Sequence, residues 1–263
     1  MKKLESTHIL SRIVDAKRQR LERTKMRVPE AVVRHFALKT PEPPSLQAAL
    51  QNSRPVRILA EVKKASPSKG VFSGSFSVPG LVDAYTEAGA SAISVVTEED
   101  FFQGSLGWVA EIRDRSALPV LRKDFVFDPY QIYETRNAKA SAILLIVAML
   151  TPEELRSFLM LAKEVGLDAL VEVHDETELR EALDAGATMI GVNNRNLKTF
   201  EVDVQTSHRL AGLIPEECIF VVESGIRDRG DIESLLQVGA DAFLIGETLI
   251  ASENPGLTLR SLL

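Results

Sequence analysis

The chain has 263 residues, 45% hydrophobic and 26% charged, with a formal net charge of −6. That length suits one large domain or two small ones around a sizeable core. The negative balance argues against nucleic acid as the main partner, no apolar run is long enough to span a bilayer, and residues 1–10 lack the apolar stretch of a signal peptide.

Helical pattern fills the first 45 or so residues and ends in the proline-rich Thr40-Pro-Glu-Pro-Pro. This reads as an N-terminal helical extension packed on one domain spanning 1–263. Its basic run KRQRLERTKMR, 17–27, reads as the solvated face of a helix. From residue 58 onward, short apolar runs recur at 58–62, 92–97, 120–123, 142–147, 169–173, 189–193, 219–223 and 242–245. Amphipathic segments of helical period fall between and after them, at 78–88, 107–115, 129–137, 152–164, 176–184, 204–213, 227–237 and 255–262. Thr151-Pro-Glu-Glu is a helix start, with a capping hydroxyl, proline in the first turn and acids after it.

A tag precedes four of the strands: AGASAISV, AKASAILL, AGATMIGV and VGADAFLI. Three have Gly in second place, as expected just past a helix C-terminus; Lys139 is the exception. Strands alternating with helices imply parallel βαβ units. Eight such units predict the α/β class and a (β/α)8 TIM barrel, for which about 250 residues is typical. A doubly wound sheet fits less well, because Lys-Lys-Ala-Ser-Pro-Ser-Lys-Gly after the first strand is no dinucleotide fingerprint.

Strand side chains alternate faces, so residues two apart point the same way. Several strands begin apolar and end in a polar group: Glu61 with Lys63, Lys123, Glu172, Asn193 with Arg195, and Glu223. If these faces point inward, the groups converge on the C-terminal mouth, where barrel enzymes keep their active sites. Glu61, Glu172 and Glu223 then face Lys63, Lys123 and Arg195 across a floor that is neutral overall. Such neighbours shift one another's pKa values, as acid–base chemistry requires.

A second pattern reads as a phosphate site. Glu223-Ser-Gly-Ile and Leu244-Ile-Gly-Glu-Thr end the last two strands, where barrels of this kind bind phosphate. Gly225 and Gly246 let backbone N–H groups approach an anion, and Ser66 adds a hydroxyl. The loop at 71–77 reads as mobile, and Lys64, Ser66, Ser68 and Lys69 before it are placed to close over a ligand. His8, His35, His174 and His208 are scattered without metal spacing. His174 is read as off the face of Glu172, structural or loop-exposed. Cys218, the only cysteine, reads as a small core hydrophobe; it permits no internal disulfide, and a cytoplasmic setting is expected.

The segments ILAEVKKASPSKG, ISVVTEEDFFQGS, VLRKDFVFDPYQI, LLIVAML, LVEVHD, IGVNNRNL, VVESGI and FLIGETL stand in unbroken order between about residues 50 and 250. Together they resemble the indole-3-glycerol phosphate synthase family. The resemblance implies a cofactor-free, metal-free lyase of tryptophan biosynthesis acting on a phosphorylated small molecule, with no nucleic acid, membrane or obligatory protein partner. It implies that Lys123 is the general acid of ring closure and Glu172 the acid/base residue of dehydration. Lys63 would sit near the substrate carboxylate, and burial near another cation is expected to lower the pKa of the general-acid lysine, Lys123. Glu61 and Asn193 would orient hydroxyls and the lysine, and Arg195 and Glu223 would position substrate. Phe102, Leu144 and Leu197 would wall the aromatic ring. Ser66, Ser224, Gly225, Gly246 and Glu247 would hold the phosphate, Glu247 through its N–H alone, and Asn194 would point away. No fused second barrel is expected. The alternatives are a phosphoribosylanthranilate isomerase-type barrel, which needs Cys and Asp, and a catalytically silent barrel that binds a phosphorylated ligand.

Overall fold

The computed structural model describes residues 1–2, 9–52, 54–72, 76–197 and 199–263. His8 and the centre of the loop at 71–77 lie outside the described residues. Eight parallel strands close into a barrel in chain order: β1 (Ile58–Val62), β2 (Ala92–Val96), β3 (Val120–Lys123), β4 (Ala142–Ile146), β5 (Asp168–Val173), β6 (Met189–Asn193), β7 (Ile219–Glu223) and β8 (Ala242–Ile245). β8 returns to β1, with Ile58 opposite Phe243 and Ala60 opposite Ile245. The strands are almost wholly buried because helices cover the outside and side chains fill the inside. This is the expected (β/α)8 fold.

The helices are α1 (Ile9–Arg27), α2 (Glu30–Ala37), α3 (Leu46–Leu50), α4 (Val78–Ala88), α5 (Gly107–Arg115), α6 (Pro129–Asn137), α7 (Pro152–Glu164), α8 (Glu176–Asp184), α9 (Gln205–Ala211), α10 (Arg229–Gln237), α11 (Glu247–Ile250) and α12 (Pro255–Leu262). Local chemistry sets their starts. Thr151 and Glu154 form a reciprocal capping box on α7. Asp228 accepts the N–H of Asp231 at 3.0 Å, so α10 begins at Arg229, two residues later than periodicity alone suggests. The helix-to-strand tag closes in the left-handed region each time, at φ of 101° for Gly89, 91° for Gly186 and 97° for Gly239. Lys139 takes the same turn at φ 64° although it has a side chain. The repeated turn geometry overrides the residue preference.

The N-terminal helices touch the barrel at several points. Tyr130 donates its hydroxyl to Val28 O at 3.1 Å, Asn137 donates to Val33 O at 2.9 Å, and Arg136 donates to Thr40 O at 2.8 Å. Most of the 17–27 basic run is solvated, but Lys17 is not. It is buried against Asp124 at 2.6 Å, directly beside Lys123 in sequence.

Candidate active site

A cavity of about 700 Å3 opens at the C-terminal ends of the strands. Strand alternation decides what enters it. On β3, Lys123 points inward, while Arg122 points outward to the Gln131 carbonyl and Thr135 hydroxyl of α6. On β5 and β7, Glu172 and Glu223 reach the same mouth, and β6 contributes Asn193. The fifteen residues expected to have a catalytic, substrate or phosphate role all line this one cavity: Glu61, Lys63, Ser66, Phe102, Lys123, Leu144, Glu172, Asn193, Arg195, Leu197, Glu223, Ser224, Gly225, Gly246 and Glu247, whereas Lys64 and Lys69 of the loop after β1 do not.

Lys123 is the hub. Its Nζ donates to Glu172 Oε2 at 3.1 Å and to Glu223 Oε2 at 2.8 Å. Lys63 pairs with Glu61, and its ammonium lies 5.4 Å from the Phe72 ring centroid. Two glycines make room for this cluster. A Cβ on Gly191 would fall on Glu223 Oε1, and one on Gly246 would fall on Glu61 Oε1. Gly246 was expected only to let backbone approach an anion. Its φ is −123°, so its missing side chain serves the Glu61 carboxylate rather than a left-handed turn.

The rest of the mouth divides into an apolar wall and a polar rim. Phe102 and Phe125 face each other at 6.0 Å between ring centroids. The loop carrying Phe102 is held by buried Glu98, which accepts the N–H groups of Asp100, Phe101 and Phe102 at 3.0, 2.8 and 2.9 Å. Ser224 at φ 65° and Gly225 at φ 83° make consecutive left-handed residues at the end of β7. Asn194 turns away from the cavity, donating to Ser224 O and accepting from Ser207.

Two expectations of placement need correction. Arg195 does not join the lysines on the floor: its guanidinium donates to Glu247 Oε2 at 2.8 Å and to Phe200 O at 3.2 Å. The Glu247 carboxylate is thereby paired with a cation. It also reaches Lys69 at 2.7 Å, tying the loop after β1 to the loops after β6 and β8. His174 is neither off the face of Glu172 nor loop-exposed. It lies two residues on, hence on the same side, and its Nε2 is 3.2 Å from Glu172 Oε1.

Known proteins similar to this chain bear directly on the cavity. The family model for indole-3-glycerol phosphate synthase matches residues 10–262. The chain belongs to the indole-3-glycerol phosphate synthase family. An indole-3-glycerol phosphate synthase of Dehalococcoides mccartyi (strain CBDB1) is 50% identical over 258 residues, covering 97% of this chain and 100% of that protein. One from Roseiflexus sp. (strain RS-1) is 47% identical over 262 residues, covering 97% of each. Among solved structures, a mutant tryptophan synthase alpha-subunit from the hyperthermophile Pyrococcus furiosus aligns with a TM-score of 0.60 at 17% identity, over 78% of this chain and 97% of that one. The thiamine phosphate pyrophosphorylase of Pyrococcus furiosus aligns at 0.58 and 12% identity, over 79% and 93%. These two share the fold.

In this member of the indole-3-glycerol phosphate synthase family the charges are tightly coupled. Burial disfavours the ammonium of Lys123, but Glu172, Glu223 and Glu61 more than offset it and push its pKa up. The expected lowering by a nearby cation is therefore overturned, because Lys123 faces carboxylates and Lys63 is taken by Glu61. Burial also works against the charge on Glu172, yet Lys123 and His174 hold its carboxyl below the usual range. Glu223 goes the other way: burial, reinforced by Glu172, outweighs Lys123 and raises it to about 7.

Sequence reasoning missed several other lining residues. Ile9, Leu10 and Ile13 of α1 and Phe125 after β3 also line the cavity. Phe125 lies inside the quoted segment VLRKDFVFDPYQI, so it was within reach. The α1 residues carried no local signal, since only the docking of that helix on the mouth brings them in.

Proposed function

We propose that the chain catalyses the indole-3-glycerol phosphate synthase reaction, as a carboxy-lyase. It closes the ring of 1-(2-carboxyphenylamino)-1-deoxyribulose 5-phosphate with loss of carbon dioxide and water. The observation that carries this reading is the Lys123 ammonium held between two buried carboxylates in the cavity, in a chain matched along nearly its whole length by the family.

The roles are those the family resemblance implies, set on the residues that line this cavity. Lys123 keeps its proton across the working pH range and gives it to the ketose carbonyl oxygen as the ring carbon attacks. The carbon–carboxylate bond then breaks to release carbon dioxide. Glu172, ionised and in contact with Lys123, takes the proton that dehydration frees from carbon. Lys63 faces the substrate carboxylate and supplies a proton to the departing hydroxyl. Glu61 holds Lys63, Asn193 and Glu223 orient the sugar hydroxyls, and Phe102, Leu144 and Leu197 pack the aromatic ring. The phosphate lies at the rim, among Ser66, Ser224, Gly225, Gly246 and the N–H of Glu247, with Arg195 at that end. A positioned acid of this kind is worth about 10² to 10⁴ in rate, and holding the ring carbon against the carbonyl adds to it.

The isomerase-type alternative needs a cysteine at the mouth. Cys218 precedes β7 at the opposite end of the barrel and donates to Ala187 O at 3.6 Å. A silent barrel would lack the acid–base cluster. We further propose that the N-terminal helices and barrel form one domain, supported by the Lys17–Asp124 pair, and that the enzyme works in the cytoplasm without a membrane or nucleic-acid partner. Among the described residues, no helix is long and apolar enough to cross a membrane.

The test is to incubate purified protein with the carboxyphenylamino-ribulose phosphate and follow indole fluorescence. Turnover is expected, and Lys123→Ala should abolish it while keeping most substrate affinity. Binding without turnover in the unaltered protein would favour the silent barrel.

A further inference from the structure

The cavity floor carries more negative than positive charge. Glu61, Glu172 and Glu223 face Lys63 and Lys123, and Arg195 is turned to Glu247. A third cation site lies behind Glu172. His174 follows β5 with its side chain 14% exposed, and it is not among the residues lining the cavity. Its surroundings fix its protons. Glu178, in the first turn of α8, is anchored by its N–H to Asp175 Oδ1 at 2.9 Å. Glu178 Oε2 accepts the His174 backbone N–H at 2.8 Å and lies 2.9 Å from His174 Nδ1. A carboxylate only accepts, so Nδ1 carries a proton. Among the described residues, Nε2 has no partner other than Glu172 Oε1, 3.2 Å away and off the ideal hydrogen-bond line. A bare Nε2 would set two lone pairs against each other in a buried site. A proton on Nε2 removes that repulsion.

We propose that His174 is a positioning residue: an imidazolium clamped between Glu172 and Glu178 that keeps Glu172 ionised and aimed at Lys123. This rests on the reading of Glu172 as the acid/base residue. The charged groups facing the ring are Glu172 from β5 and Glu178 from α8. Burial alone lowers the His174 pKa, but these two carboxylates more than offset it and raise it to about 10. With the imidazolium in place, Glu172 Oε1 is engaged from behind and Oε2 stays toward Lys123.

Two measurements test this. In nitrogen-15 spectra of histidine-labelled protein at about pH 8, where ordinary histidines are neutral, one ring should be protonated on both nitrogens. That signal should vanish in His174→Gln. Separately, His174→Gln keeps a donor but removes the charge, so it should move the acid limb of the kcat–pH profile up by about one unit or more, with KM changed less than about threefold. Glu178→Gln should move the limb the same way, and the double variant should add little. A neutral His174 ring at about pH 8, or an unmoved acid limb in folded variants, overturns the proposal. The spectra need no substrate. Absence of turnover in the unaltered protein would therefore sink the functional reading, while the charge on the ring is still measured.

Discussion

Replacing Lys17 by Met tests how far helix α1 belongs to the active site. Lys17 Nζ lies 2.6 Å from Asp124 Oδ2 and 3.1 Å from Glu99 Oε2, with its side chain 6% exposed. Asp124 is fully buried and also receives Thr97 Oγ1 at 2.6 Å and Arg122 Nη2 at 3.0 Å. Removing one partner of a buried pair costs about 3–5 kcal/mol, because the other charge stays behind uncompensated. Arg122 and Thr97 remain on Asp124, so the lower end, about 3 kcal/mol, is expected. At about 2–4 °C per kcal/mol for a chain near this size, Tm should fall by roughly 6–12 °C. The loss should also depend on pH. Burial opposes the charge on Asp124, but Lys17 and Arg122 more than offset it and hold the carboxyl at about 2. The folded value lies below the unfolded value of about 3.9. The stabilisation is therefore complete above about pH 4 and is lost as pH falls through the folded value. The gap between Lys17→Met and the unaltered protein should narrow in acid. Thermal unfolding at neutral pH and near pH 3 reads both effects. A Tm loss under about 2 °C, or an equal gap at both pH values, would refute the reasoning.

Glu223 offers a trade between stability and activity. Its folded pKa of about 7 exceeds the unfolded value of about 4.3, so the contribution of this one group to stability is fully present below about 4.3 and is lost as pH rises through the folded value. Glu223→Gln should raise Tm by a few degrees at about pH 8 while cutting kcat by about 10² or more; a lower Tm there counts against the strained carboxylate. Gly246→Ala puts a methyl where Glu61 Oε1 sits, so kcat/KM should drop by about 10² with the circular dichroism spectrum unchanged. Near-normal turnover would show that Glu61 has room to move. Lys139→Gly relieves an exposed residue at φ 64° and should gain about 1 kcal/mol in urea unfolding; a loss would mean that the lysine side chain contributes more than its backbone costs.

Much of this molecule was legible in the chain itself. Apolar runs of four to six residues, alternating with amphipathic segments, determined the kind and order of every barrel element. Two-residue alternation set Lys123, Glu172 and Glu223 each at the polar end of one strand face, and an inward direction for those faces gives the shared mouth. Both features are local and periodic, so sequence carries them directly. Which charge meets which is not local. Arg195 and Glu247 lie 52 residues apart, and Lys123 and Glu223 lie 100 apart. Barrel closure and burial decide those pairings, since a desolvated carboxylate takes the nearest cation in space. The same holds for Lys17, which reads as one more solvated lysine until α1 is laid over the mouth and Asp124 leaves it no other place. Sequence periodicity grouped the side chains by face; only the closed barrel settled which face looks inward and which side chains neutralise one another there.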